Sequence, residues 1–267
     1  MTKISTYVMS DIHGCYDEFL TMLNKIGFTD HDTLVLAGDY VDRGHQSLEM
    51  LQWIETKPDN VIFLCGNHDI EFACNVELLN QFAKDGMNKD SNEETLLLYA
   101  LFSQVALQEG GGTSIFDYYG TISELITVYG VTLNQLLTWT DCIWDMAYFH
   151  MLEMNNKQYV IVHAGYTETL DNANMEGHYE SLDDFYVYAR DDAYINGGIK
   201  HGVIIAGHTP TIMEEELPYN YGNVYMMYDE DLDCTFYDID CGCAYRKQCS
   251  SAKLACIRLE DEAIFYI

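Results

Sequence analysis

The chain has 267 residues, with 13 Lys+Arg against 43 Asp+Glu, a formal charge of −30, and 48% hydrophobic and 13% aromatic residues. So acidic a balance repels nucleic acid and anionic membrane at long range, which excludes both as partners. The apolar and aromatic content is ample for a packed core, which excludes disorder as the meaning of the charge.

At roughly 150 residues per domain the length allows one large domain or two. Three prolines, no Ser/Gly-rich linker and no repeat favour a single domain over residues 1–267, with an insertion. Nine cysteines, an odd number scattered from Cys15 to Cys256, do not form a secreted disulfide framework. The first segment, Ile4 to Met9, is too short and polar for a signal peptide or membrane span. The expected compartment is a reducing cytoplasm.

In chain order, Ile4 to Met9 predicts a strand, and Phe19, Met22, Leu23 and Ile26 recur at helical spacing before Gly27. Thr33 to Ala37 reads as a strand, Leu48 to Ile54 as a helix and Val61 to Cys65 as a third strand. This alternation predicts βαβ units and a largely parallel sheet. Between about residues 75 and 155 the pattern turns helical, at Leu96 to Ala100, Ile122 to Val128 and Leu133 to Leu152, which reads as a helical insertion capping the domain. Strands resume at Tyr159 to Val162 and Val203 to Ala206. The extended runs Val224 to Tyr228, Cys234 to Ile239, Leu254 to Leu259 and Ala263 to Ile267 suggest antiparallel strands forming a second sheet.

Five polar, glycine-containing clusters stand directly after five of these strands. They are Asp11-Ile12-His13-Gly14, Gly38-Asp39-Tyr40-Val41-Asp42-Arg43-Gly44, Gly66-Asn67-His68-Asp69, His163-Ala164-Gly165 and Gly207-His208-Thr209. Ligands of open α/β sheets bind outside the carboxyl ends of strands, so the five clusters converge on one edge. Asp11, His13, Asp39, Asn67, His163 and His208 make a donor set of three imidazoles, two carboxylates and an amide oxygen. That mixture suits first-row ions such as Mn, Fe or Zn better than calcium. Six side chains exceed the needs of one catalytic ion and fit two ions about 3.5 to 4 Å apart sharing a carboxylate, as in phosphate ester hydrolysis.

The blocks SDIHG (10–14), GDYVDRG (38–44), GNHD (66–69), HAG (163–165) and GHT (207–209) resemble the calcineurin-like metallophosphoesterases, and more narrowly the bacterial members of the phosphoprotein phosphatase family. The resemblance runs in order from about residue 4 to the end, apart from a stretch near 75–155 without matching motifs. It implies an α/β metallophosphoesterase fold: two mixed β-sheets packed as a sandwich, flanked by helices. It implies that Asp11, His13 and Asp39 hold one metal and Asp39, Asn67, His163 and His208 the other, with Asp39 bridging. It further implies His68 as general acid oriented by Asp42, with Arg43 on the phosphate oxygens and Asn67 near them. In-line attack by a bridging hydroxide needs a proton donor across the phosphorus, and a carboxylate beside an imidazole fixes its tautomer for that task. Tyr188-Ala189-Arg190 stands where many bacterial members carry Trp-x-Arg, with tyrosine for tryptophan, and the resemblance implies Arg190 as a second phosphate ligand.

Other polar residues read plainly. His31, His150, His178 and His201 read as surface or core residues, and His45 follows the DRG turn where it could line the cleft. Cys241, Cys243, Cys249 and Cys256 lack paired CxxC spacing and read as buried thiols rather than a zinc knot. Asp240-Cys241-Gly242 stands where the family has an Asp-Thr-Gly turn. The expected activity is a bacterial serine/threonine phosphoprotein phosphatase requiring two divalent ions. A dinucleoside polyphosphate hydrolase acting on diadenosine tetraphosphate shares all five blocks and is the alternative. A non-catalytic binding module would have lost part of the central set, and none is missing.

Overall fold

The computed structural model describes residues 4–84, 114–170, 179–213 and 220–267. Two five-stranded sheets face each other. The first has the order β10-β9-β1-β2-β3, and the second β4-β5-β6-β8-β7. In the first, β1 (Thr6–Met9), β2 (Thr33–Leu36) and β3 (Val61–Phe63) run parallel, with β9 (Ala255–Arg258) antiparallel to β1 and β10 (Ala263–Tyr266) antiparallel to β9. In the second, β5 (Lys157–Val162), β6 (Gly202–Ala206) and β8 (Cys234–Asp238) run parallel between antiparallel edges β4 (Phe149–Met154) and β7 (Tyr225–Asp229). The mixed two-sheet sandwich expected from the resemblance is therefore present.

The layers follow from the period of two along each strand. Val8, Val35, Ala37, Tyr159, Ile161, Val203 and Ile205 form the core between the sheets. Their neighbours turn outward: Tyr7, Met9, Leu34 and Leu36 pack under one helical layer, and Val160, Val162, Ile204 and Ala206 under the other. With both faces covered, the central strands read as continuous apolar runs.

Helices α1 (Tyr16–Ile26), α2 (Ser47–Glu55), α3 (Asn67–Lys84), α4 (Ser114–Thr127) and α5 (Leu133–Trp144) share the core on the first sheet's outer face. Gly27 ends α1 in the left-handed conformation (φ 65°) that glycine adopts without a Cβ penalty. On the second sheet, α6 (Leu182–Tyr188) and α7 (Asp191–Ile195) bury Phe185, Tyr186, Ala189 and Ala193.

Two expectations are corrected. The helix expected over 133–152 ends at Trp144, and Phe149–Met154 is instead an edge strand paired with β5. Its alternating β-compatible residues gain a ladder there, which tertiary context supplies and helical spacing could not reveal. The four C-terminal runs are strands, but β7 and β8 join the second sheet while β9 and β10 complete the first. The helix expected at 96–100 lies outside the described residues. Among those described, α4 and α5 pack through Ile122, Leu125, Leu136, Trp139 and Ile143 into the helical layer of the first sheet. No described helix is long and apolar enough to cross a membrane.

Candidate functional site

The sandwich brings the carboxyl ends of β1, β2, β3, β5 and β6 to one edge. Asp11 follows β1, Asp39 follows β2, Asn67 and His68 open α3 after β3, His163 follows β5 and His208 follows β6. All six expected metal ligands are buried there, none more than 7% exposed. Backbone bonds stitch the loops together: His13 N–H donates to Asp39 O at 2.9 Å, Asp11 N–H to Gly38 O at 3.1 Å, and Gly207 N–H to His163 O at 2.7 Å.

The loops are tight enough to force unusual backbone conformations. Asp11 (φ 52°), His13 (45°), Asp39 (58°), Asp42 (71°), Arg43 (64°) and His208 (71°) all lie in the left-handed region. Such conformations cost of order 1 kcal/mol or more per non-glycine residue and persist where surrounding structure over-determines them. Two glycines make the close approach possible. A Cβ on Gly66 would run into Asp39 Oδ1, and one on Gly207 into Asp11 Oδ2.

The imidazoles are fixed in orientation. His13 Nδ1–H donates to Val41 O and His163 Nδ1–H to Ala37 O, each at 2.8 Å, so the Nε2 lone pair of each neutral ring points into the site. Burial holds His13 and His208 well below the ordinary imidazole range and lowers His163 as well, so these rings are neutral and able to act as ligands. Burial also raises Asp39, and pushes Asp11 up to about 6.

Nitrogen and oxygen atoms of these side chains then converge. His163 Nε2 lies 3.1 Å from Asn67 Oδ1 and 3.5 Å from Asp39 Oδ1, and His208 Nδ1 lies 2.9 Å from the same amide oxygen. On the other side, His13 Nε2 is 3.4 Å from Asp39 Oδ2 and 3.9 Å from Asp11 Oδ1. Asp11 Oδ1 is buried and accepts no hydrogen bond among the described residues. Clustered imidazole nitrogens and carboxylate oxygens, with an orphaned buried carboxylate oxygen beside them, are what a cation between them would satisfy. Two groups of three have this geometry: Asp39 with His163 and His208, and Asp39 with His13 and His68. Asp39 belongs to both. The second group holds His68, where the resemblance had implied Asp11, whose Oδ1 is 3.9 Å from His13 Nε2.

Arg43 and His68 complete the mouth. His68 Nδ1 is 2.7 Å from Asp42 Oδ2, and its Nε2 is 3.0 Å from Arg43 Nη2. Arg43 Nη1 reaches His13 Nε2 at 2.8 Å, so one guanidinium spans two rings. The positive charge of Arg190, between α6 and α7, acts on His163, His208, Asp238 and Asp240. The six expected ligands, His68, Asp42 and Arg43 thus come together at this edge, and the charge of Arg190 reaches it. His45 is exposed and lines a cavity beside Arg43.

Three contributors went unassigned in the sequence. Asp69 accepts from the N–H groups of Asp39 (2.8 Å), Tyr40 (3.0 Å) and Gly66 (2.9 Å), tying the loops after β2 and β3 together. It stands in the GNHD block, so its position was available though its task was not. Asp240 follows β8, a sixth strand end at the site; its Oδ1 accepts from Gly242 N–H, and burial first and Asp11 next raise it well above the carboxylate range. Tyr245 stacks under Arg43, with Cζ 5.5 Å from the ring centroid, and nothing in the sequence marked it. All nine cysteines are free, and none joins a metal-binding group among the described residues.

Comparison with known proteins agrees with this geometry. The chain is 43% identical over 98 residues to the symmetrical bis(5'-nucleosyl)-tetraphosphatase of Cronobacter sakazakii, covering 36% of this chain and 32% of that protein. It is 42% identical over 98 residues to the enzyme of the same name from Escherichia coli O139:H28, covering 36% and 33%. The matched stretch spans about a third of these curated relatives. A crystal structure of a provisionally assigned diadenosine tetraphosphatase superposes with a TM-score of 0.53 at 14% identity, covering 100% of this chain and 94% of the other, a likeness of fold. The family model for calcineurin-like phosphoesterase matches residues 4–241, which hold the whole second sheet, β1 to β3 of the first and every strand-end cluster, and the chain belongs to that family.

Proposed function

We propose that this chain is a dinucleoside polyphosphate hydrolase dependent on two divalent ions. The observation that carries the substrate class is the identity of 42 to 43% with symmetrical tetraphosphatases, taken with a phosphoesterase site whose donors are all present. The serine/threonine phosphoprotein phosphatase expected from the motif blocks is the competing outcome.

Asp11, His13 and Asp39 would hold one ion, and Asp39, Asn67, His163 and His208 the other; the mixed nitrogen and oxygen donors suit manganese, iron or zinc. Bound ions would supply charge stabilisation for the phosphoryl oxygens and a nucleophile at neutral pH. The chain's own groups do the rest. Arg43 and Arg190 bind phosphoryl oxygens, with the planar fork of Arg43 already aimed at the cleft between His13 and His68. As the imidazolium, His68 gives its Nε2 proton to the leaving oxygen and becomes neutral, while Asp42 accepts from Nδ1–H throughout and holds the ring. Nine unpaired cysteines support a reducing cytoplasm as its compartment.

The test compares kcat/KM of the Mn²⁺-loaded enzyme on diadenosine tetraphosphate and on a panel of serine and threonine phosphopeptides. At least tenfold preference for the dinucleotide is expected. Preference for phosphopeptides overturns the substrate assignment while leaving the hydrolytic site intact.

A further inference from the structure

A cavity of about 290 Å³ opens beside Arg43, whose guanidinium reaches both His13 and His68, between the loop after β2 and the segment after β8. It is walled by Gly14 and Gly44 and by Arg43, His45, Arg246 and Lys247, among others. Three of the chain's 13 basic residues therefore line one small cavity in a molecule of charge −30. Glu18, its one acidic lining residue, pairs with Arg246 and is neutralised there. Lys247 is exposed and makes no ion pair among the described residues. The same segment holds the site together. The 3-10 turn Cys243–Tyr245 places the Tyr245 ring under Arg43, and Arg246 and Lys247 follow directly.

We infer that this cavity is an anionic subsite for the phosphates of the leaving group, with Lys247 as its specificity-determining cation. The inference rests on the hydrolase reading above and names where the second part of a polyphosphate substrate lies. An in-line displacement sends the leaving oxygen toward the proton donor, and His68 Nε2 is 3.0 Å from Arg43. A leaving group that carries phosphates of its own then continues past Arg43 into the cavity, where Arg43 and Lys247 face it. The volume is near the lower end of small-molecule sites, roughly 300–1,000 Å³, which suits a short phosphate chain rather than a folded protein surface. A phosphomonoester with an uncharged leaving group gains nothing there. Lys247 thus discriminates between polyphosphates and simple esters in a protein whose remaining surface repels both.

The experiment uses the Mn²⁺-loaded enzyme at fixed free Mn²⁺ and two readouts. Calorimetry measures binding of methylenediphosphonate, whose P–C–P bridge is not hydrolysed; kinetics gives the ratio of kcat/KM for diadenosine tetraphosphate to that for p-nitrophenyl phosphate. Lys247→Ala is expected to weaken diphosphonate binding and lower the ratio by about tenfold each, Lys247→Glu by more, and Lys247→Arg to restore both. Lys57→Ala, on the distant Asp145 pair, controls for loss of general charge. If binding weakens as expected but the wild type ignores diadenosine tetraphosphate, the subsite stands and the dinucleotide reading falls. If Lys247→Ala and Lys247→Glu both stay within twofold of wild type in binding and ratio, the subsite is overturned, whether or not the dinucleotide is cleaved.

Discussion

His68 and Asp42 form a buried pair, Nδ1 to Oδ2 at 2.7 Å, with the two side chains 4% and 0% exposed. The carboxylate accepts from Nδ1–H, which leaves Nε2 as the atom facing the cleft and Arg43. His68 is also close enough to His13 and Asp39 to be counted among metal-binding groups. The pair therefore distinguishes two tasks that the same ring could perform.

For a proton donor, His68→Asn lowers kcat by about 10² to 10⁴-fold while both metal ions stay bound. Asp42→Asn, which leaves the ring but not its orientation, lowers kcat less. Metal analysis of the purified variants is the decisive readout. Loss of one ion equivalent in His68→Asn makes the ring a ligand and removes it from the acid role.

Asp39 faces both groups, with Oδ1 3.5 Å from His163 and Oδ2 3.4 Å from His13. Asp39→Asn is expected to lower the metal content of the purified enzyme and reduce turnover by orders of magnitude. Hydrolysis of a chiral phosphate substrate by the wild type gives inversion at phosphorus, as a single displacement requires. Retention points to a covalent intermediate and contradicts the direct mechanism.

The metal-free protein should lose stability as pH rises. Burial pushes Asp11 up to about 6 from 3.8, so the folded chain keeps a proton that the unfolded chain releases. The favourable difference is full below about pH 4 and is lost as pH climbs through 6, a change of roughly 3 kcal/mol. Asp11→Asn flattens that dependence in chelator-treated protein, measured by urea unfolding between pH 4.5 and 7.5. Added Mn²⁺ raises the unfolding midpoint of the wild type most at the upper end of that range, where the carboxyl has already lost its proton.

Asp69 holds three backbone N–H groups in a buried setting. Asp69→Ala orphans all three and costs on the order of 3 kcal/mol or more. Asp69→Asn keeps part of the set and costs less. Equal destabilisation by the two would show that volume, not hydrogen bonding, is what the residue contributes.

Gly207→Ala places a methyl group against Asp11 Oδ2, whose backbone donor is His208 N–H at 3.0 Å. Metal content and turnover are expected to fall together, with the fold retained by circular dichroism. A fully active Gly207→Ala means that the loop after β6 can yield.

Much of this was legible locally. The blocks around Asp11, Asp39, Asn67, His163 and His208 carried the family and the donor set, because each lies within a few residues of an apolar strand whose end it marks. The mixed two-sheet sandwich was legible from the same resemblance. What was not legible depends on partners far away in sequence. Phe149–Met154 carries residues that a helix also tolerates, and it is a strand because β5 offers an open edge. Tyr245 and Arg43 are 202 positions apart, and only the completed sandwich stacks one beneath the other.

By itself, then, the sequence determined which side chains could bind cations and phosphate, since donor chemistry and strand-end spacing are properties of short segments. Only the tertiary structure decided how they are used. It turned the Nε2 atoms of His13 and His163 inward through carbonyls on neighbouring loops, and held six site residues at positive φ. It gave Asp69 the task of joining two loops, and set Arg43, Arg246 and Lys247 around one cavity in an acidic protein. The reason is that burial, hydrogen-bond direction and electrostatic surroundings arise between elements, and no single segment contains them.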